Sequence, residues 1–87
     1  MKIKKGFVMR EVAGQSVIIA VGAAAKSYNG MIKLNDTAKI AWKCLENGCE
    51  IDDMVNAIID EYDVDKETVK KDMEKFIEAL EGANILE

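Results

Sequence analysis

The sequence has 87 residues and contains no histidine and no proline. Without histidine, a zinc site would need four ligands from thiols and carboxylates alone. There is also no glycine-rich phosphate loop and no nucleophile beside a base. The absence of proline, with only six glycines, argues against a linker or a disordered chain. Cysteine is scarce as well. Cys44 and Cys49 are too few for the disulfide framework of a small secreted domain and read as reduced thiols beside a helix end. No long apolar run exists: after the basic start Met-Lys-Ile-Lys-Lys-Gly, the longest is Val17 to Val21, too short for a signal-peptide core or a membrane span. Acidic pairs are present, at Asp52-Asp53 and around Asp60, Glu61 and Asp63, but without EF-hand spacing. Together these absences predict a cytoplasmic protein that is not an enzyme, with no membrane segment, no metal and no cofactor.

What is present describes an ordinary globule: 49% hydrophobic and 32% charged residues, in a length that predicts one domain over residues 1–87 with a modest core. Residues 7–12 and 16–21 read as strands joined by a glycine-containing hairpin turn at Ala13, Gly14 and Gln15. Residues 22–30 read as a looser loop ending in the turn dipeptide Asn29-Gly30. Residues 31–34 make a short third strand, with Ile32 and Leu34 on one face and Met31 and Lys33 on the other.

Three helices are predicted next, over 36–47, 51–62 and 66–81. Each carries one apolar stripe at helical spacing: Leu34, Ala38, Ala41, Trp42 and Leu45; then Ile51, Val55, Ile58, Ile59 and Tyr62; then Val69, Met73, Phe76, Ile77 and Leu80. In so short a chain the stripes must face one another. Asn35 or Asp36 can cap the first helix and Gly48 can end it. Asp65 can cap the third, with Val64 and Val69 spaced as a hydrophobic staple, and Gly82 can end it before Ile85-Leu86 fold back. The second starts less cleanly, since Glu50 is a poor cap, although Asp52 and Asp53 suit the positive end of its dipole. The fold class is therefore α+β: a small winged helix-turn-helix-like domain, with an N-terminal three-stranded antiparallel sheet followed by a three-helix bundle.

Winged helices often bind DNA, but the charges oppose it here. Residues 1–34 carry +5 and residues 35–87 carry −9. The would-be recognition helix from Lys66 to Glu81 holds four lysines and five acids, a poor start for neutralising phosphates. A protein partner is the better expectation, and the stretch Ile32 to Gly48 offers a mechanism. If the strands pair in sequence order, the third keeps one free edge whose N–H and C=O groups can accept an extended peptide. The same edge could instead stay solvated or pair with another copy of the chain as a homodimer.

The run Leu34-Asn35-Asp36-Thr37-Ala38, then Ile40-Ala41-Trp42 and Leu45, resembles a signature of the PqqD family. The likeness continues through Ile51 to Val55, Tyr62-Asp63-Val64, and Val69, Asp72, Phe76, Leu80, Gly82, Ile85 and Leu86. It covers residues 31–87 closely and the earlier strands loosely. The resemblance implies a non-catalytic domain that captures the leader of a ribosomally made precursor peptide and presents it to a maturation enzyme, often of the radical S-adenosylmethionine type. In that family the leader adds to the third strand and packs against the third helix. Carried over to this sequence, the peptide-binding residues are Met31, Ile32, Lys33 and Leu34 on the edge, and Lys66, Lys70, Met73 and Ile77 on the helix. The positive N-terminal part, with Lys33 near the groove, suits an acidic leader.

Overall fold

The computed structural model describes residues 1–26 and 30–87. It begins with two strands, β1 (Phe7–Val12) and β2 (Gln15–Ala20), which pair antiparallel from Phe7↔Ala20 to Val12↔Gln15. Only Ala13 and Gly14 lie between them, so β2 starts at Gln15, one residue before the position expected from the sequence. Both turn residues have positive φ, 53° and 79°. Those are the dihedrals of a type I′ turn, whose twist matches that of the strands it joins. Glycine suits the second position; Ala13 takes the first at a cost of about 1 kcal/mol.

After β2 the chain does not form the loose loop expected there. Gly22–Lys26 is a short 3₁₀ helix. The Asn29 half of the expected Asn29-Gly30 turn lies outside the described residues. The third strand, β3 (Ile32–Leu34), is one residue shorter than expected and pairs antiparallel with β2 through Ser16↔Leu34, Val17↔Lys33 and Ile18↔Ile32. The sheet order is β1-β2-β3, so β3 is an edge.

Three helices complete the fold: α1 (Asp36–Glu46), α2 (Ile51–Glu61) and α3 (Lys66–Gly82). Asn35 caps α1, its Oδ1 accepting from the Ala38 N–H at 2.9 Å and the Thr37 hydroxyl at 3.0 Å. Asp65 caps α3 in the same way through the Thr68 N–H, 3.0 Å. Val69 enters the core beyond that cap, while Val64 stays 44% exposed. The start of α2, which looked weak, is held from inside the helix: the Asp53 carboxylate accepts the Glu50 N–H at 2.9 Å.

The stripes converge as their spacing requires. Ala38, Ala41, Trp42 and Leu45 of α1, Val55 and Ile58 of α2, and Val69, Met73, Ile77 and Leu80 of α3 are buried in one cluster with Ile18 and Leu34 of the sheet. Met54 joins them, although it stands outside the expected stripe, and Tyr62 does not. Trp42 is wholly enclosed, and its Nε1 has no hydrogen-bond partner among the described residues. An unpaired indole N–H costs about 1–3 kcal/mol, which the ring's buried apolar area has to offset.

The helix ends turn the chain by two related devices. Gly48, at φ 85°, follows the end of α1 and donates its N–H to the Leu45 carbonyl. At the end of α3 the left-handed residue is Asn84, φ 60°, and not Gly82, which stays helical. The Ile85 N–H bonds the Leu80 carbonyl at 2.9 Å and the Asn84 N–H bonds Glu81 at 3.0 Å, the paired bonds of a Schellman ending. Ile85 is thereby driven into the core beside Leu80. The tail then runs along the N-terminal segment, with Lys4 N–H to Ile85 O at 2.7 Å and Glu87 N–H to Lys2 O at 2.9 Å.

Because Asn84 must adopt a left-handed backbone, Asn84→Ala is expected to lower stability in urea unfolding by about 1 kcal/mol, and Asn84→Gly to change it far less. Trp42 fluorescence follows both transitions; equal midpoints for the two variants would contradict this reading of the helix end.

Candidate functional site

The turn at Ala13-Gly14 determines which backbone groups each strand can offer. In a two-residue I′ hairpin the closing pair, here Val12 and Gln15, exchanges both hydrogen bonds, and bonded pairs recur at every second position. Arg10↔Val17 and Val8↔Ile19 are therefore bonded pairs. The Val21 N–H donating to the Gly6 carbonyl at 2.7 Å falls on the same parity. Residues 15, 17 and 19 of β2 thus spend their amides on β1, and residues 16, 18 and 20 aim theirs at β3. In the second ladder Ser16↔Leu34 and Ile18↔Ile32 become the bonded pairs, and Val17↔Lys33 the unbonded one. The backbone N–H and C=O of Lys33 consequently point away from the sheet, along its free edge.

Side chains alternate on the same rule. Ile32 and Leu34 face the helices, Leu34 as part of the core and Ile32 packed against it. Lys33 faces the other way, in register with Val17 and then Arg10 across the sheet. Lys33 and Arg10 are exposed, and Met31 just before β3 is 56% exposed.

Beside the edge runs a groove of about 400 Å³ between β3, the start of α1 and α3, lined by Lys33, Asn35, Thr37, Ala38, Asp72, Met73, Lys75 and Phe76. Half-buried Phe76 is its main apolar surface, joined by the edges of the largely buried Ala38 and Met73; its helix-borne charges are Lys75 and Asp72, and Lys33 borders it from the strand. The Asn35 cap lets the chain pass from strand to helix with no intervening loop, and this holds β3 and α1 together at one end of the groove.

The residues singled out from the sequence distribute unevenly around this groove. Lys33 and Met73 line it. Ile32 and Leu34 support it from the core side, and Ile77 is buried in the core. Lys66 and Lys70 are exposed but are not among the lining residues. At 100° per residue, Lys66 and Lys70 lie roughly 80° and 120° around α3 from Phe76, toward the opposite flank of the buried stripe that holds Met73 and Ile77. The side that faces the groove carries Asp72, Lys75 and Phe76, which sequence reasoning did not select. Phe76 was read only as a member of the apolar stripe; its half-burial at the border of an opening is visible in the structure alone.

Among the described residues no group of three or more metal-ligating side chains comes together, and no helix is long and apolar enough to cross a membrane. The two cysteines are free thiols that lie against each other at the α1–α2 turn. Burial, reinforced by Cys44 and then Asp53, pushes the Cys49 thiol up to about 11.

Comparison with known proteins agrees with this fold. The family model described as coenzyme PQQ synthesis protein D (PqqD) matches residues 8–86. A solved structure described as TbiB1 in complex with the TbiA(beta) leader peptide superposes with a TM-score of 0.77 at 29% identity, covering 100% of this chain and 95% of that one. The comparison with curated proteins gave no significant match.

The parity of the ladder has a consequence for the stability of the sheet itself. Lys33→Pro removes only an outward N–H and is expected to leave the fold intact, with Trp42 still enclosed. Ile32→Pro or Leu34→Pro each removes a bond to β2 and is expected to destabilise by about 3 kcal/mol. Equal losses at all three positions, measured by urea unfolding, would show the parity to be wrong.

Proposed function

The chain belongs to the PqqD family, and on that premise we propose that it captures the leader segment of a ribosomally made precursor peptide and presents the peptide to a modifying enzyme. The observation that carries this reading is the outward-facing Lys33 amide and carbonyl beside a groove with an apolar lining. An extended peptide laid along β3 continues the sheet by one strand, bonding to Lys33 and placing alternate side chains against Ala38, Met73 and Phe76. Backbone bonds provide affinity for any extended chain, and the groove selects among sequences. The similar solved structure, which holds a leader peptide, supports the same use of the fold.

The role is that of a binding partner and not a catalyst: the domain orders the leader, and chemistry on the rest of the precursor belongs to the enzyme. That enzyme is of the radical S-adenosylmethionine type in this proposal, and the work is done in the cytoplasm, where two free thiols persist. A second copy of the chain docking by its own edge would compete with the leader for the same amides, so any homodimer is expected to dissociate as leader is added.

Titration of the cognate leader tests the proposal. Lys33→Pro, losing one backbone bond of about 0.5–1.5 kcal/mol, is expected to weaken binding roughly three- to ten-fold. Phe76→Ala is expected to weaken it by a similar factor through loss of apolar contact. Unchanged affinity in both folded variants would rule out docking at this edge. Tagged protein recovered from its own cells is expected to bring with it a short encoded peptide and an iron–sulfur enzyme.

A further inference from the structure

The register that exposes the Lys33 amide also dictates what a visiting strand presents to each face. The residue aligned with Lys33 has its side chain on the same face as Lys33, away from the helices. Its two neighbours in the peptide face inward, as Ile32 and Leu34 do, onto the groove surface formed by Ala38, Met73 and Phe76. The outward row across the sheet reads Arg10, Val17, Lys33. Val17 is only 2% exposed although it lies on the face opposite the core, between the two cations in register. The visiting residue would be the fourth member of that row, one strand spacing of about 4.8 Å beyond Lys33. Among the described residues Lys33 makes no ion pair; the ion pairs present engage Lys39 with Glu11 and the N-terminal ammonium with Glu50. Glu11 alternates onto the helix-facing side of β1 and is committed to Ser16 and Lys39, so it does not neutralise the row.

We propose that Lys33 is a specificity-determining residue, and that the peptide this domain recognises carries Asp or Glu aligned with Lys33, flanked on both sides by apolar side chains. The inference rests on the strand-capture reading above and adds to it a register and a charge. Cross-strand neighbours of opposite charge attract and like charges repel, so Lys or Arg at the aligned position is disfavoured. The flanking positions select for apolar groups because they face the groove side of the edge, where half-buried Phe76 offers apolar surface to cover.

A displayed library of random nine-residue peptides, panned in parallel on the wild-type protein, Lys33→Glu and Lys33→Pro, tests it. Retained Trp42 emission establishes that each variant is folded. The wild type is expected to enrich an acidic residue between two apolar ones. Lys33→Glu is expected to enrich a basic residue at that same central place, with the apolar flanks unchanged. For one enriched peptide and its Glu-to-Lys counterpart, the preference on the wild type is expected to be roughly two- to five-fold, reversed on Lys33→Glu and reduced at 1 M salt. Enrichment of the same central residue by the wild type and Lys33→Glu, with Lys33→Pro binding these peptides roughly three- to ten-fold more weakly, overturns the charge alignment while leaving strand capture standing. Lys33→Pro binding the enriched peptides as tightly as the wild type, or no extended motif emerging on any folded variant, overturns strand capture and this inference with it.

Discussion

The arrangement of the whole edge depends on a turn at the far end of the sheet. A two-residue connection between β1 and β2 makes Val12 and Gln15 a doubly bonded pair, and the alternation of antiparallel ladders carries that parity across β2 to β3. Had the hairpin contained one residue more or fewer, the parity on β2 would change. Ile32 and Leu34 would then offer their amides outward, while their side chains could no longer both face the core from the same register. The free edge and the hydrophobic core are therefore specified together. This is why a strand of only three residues can be a structural member and still keep one backbone amide and carbonyl outward.

The second constraint is the absence of slack between β3 and α1. Asn35 is extended, with φ −79° and ψ 179°, and its side chain closes the first turn of the helix. The free amides are thus held at a constant distance from α1, and through the shared core from α3. A flexible loop at this place would leave the edge available but the groove undefined, and a peptide would have to order the loop on binding, at a cost of about 1–2 kcal/mol per backbone residue ordered. The Schellman ending at Asn84 serves the same purpose from the other side, because it returns Ile85 to the core at the C-terminal end of α3.

Much of this was legible in the sequence, for reasons that can be named. Helical stripes are readable when nearly all their members are buried, and those of α1 and α3 are. The N-caps were legible because Asn35 and Asp65 have the side chains that bond an open first turn. Strand order was only a condition in the sequence, since residues 21–31 separate β2 from β3; pairing in the order β1-β2-β3 is what leaves the third strand a free edge. The PqqD likeness over residues 31–87 pointed to the third strand and third helix. Less legible was the phase of α3. Lys66 and Lys70 share a side with Met73 and Ile77, so they were natural choices from spacing alone. Which flank of a buried stripe meets β3 is decided by how the helix crosses the sheet, and a single sequence does not contain that angle. Asp72, Lys75 and Phe76 were missed on that account. The 3₁₀ turn at Gly22–Lys26 was missed because three consecutive alanines carry no periodic signal. The left-handed residue after α3 was assigned to glycine by default, whereas asparagine tolerates the same backbone.

The central claim is that Lys33 alone of the β3 residues presents its backbone amide to a visiting chain. Amide hydrogen exchange resolved to single residues tests it most directly, measured with and without the bound leader. The account predicts that Ile32 and Leu34 exchange slowly in both states, while Lys33 exchanges rapidly in the free protein and becomes protected only in the complex. A Lys33 amide already protected in the monomer, or one whose exchange is unchanged by saturating leader, would contradict it.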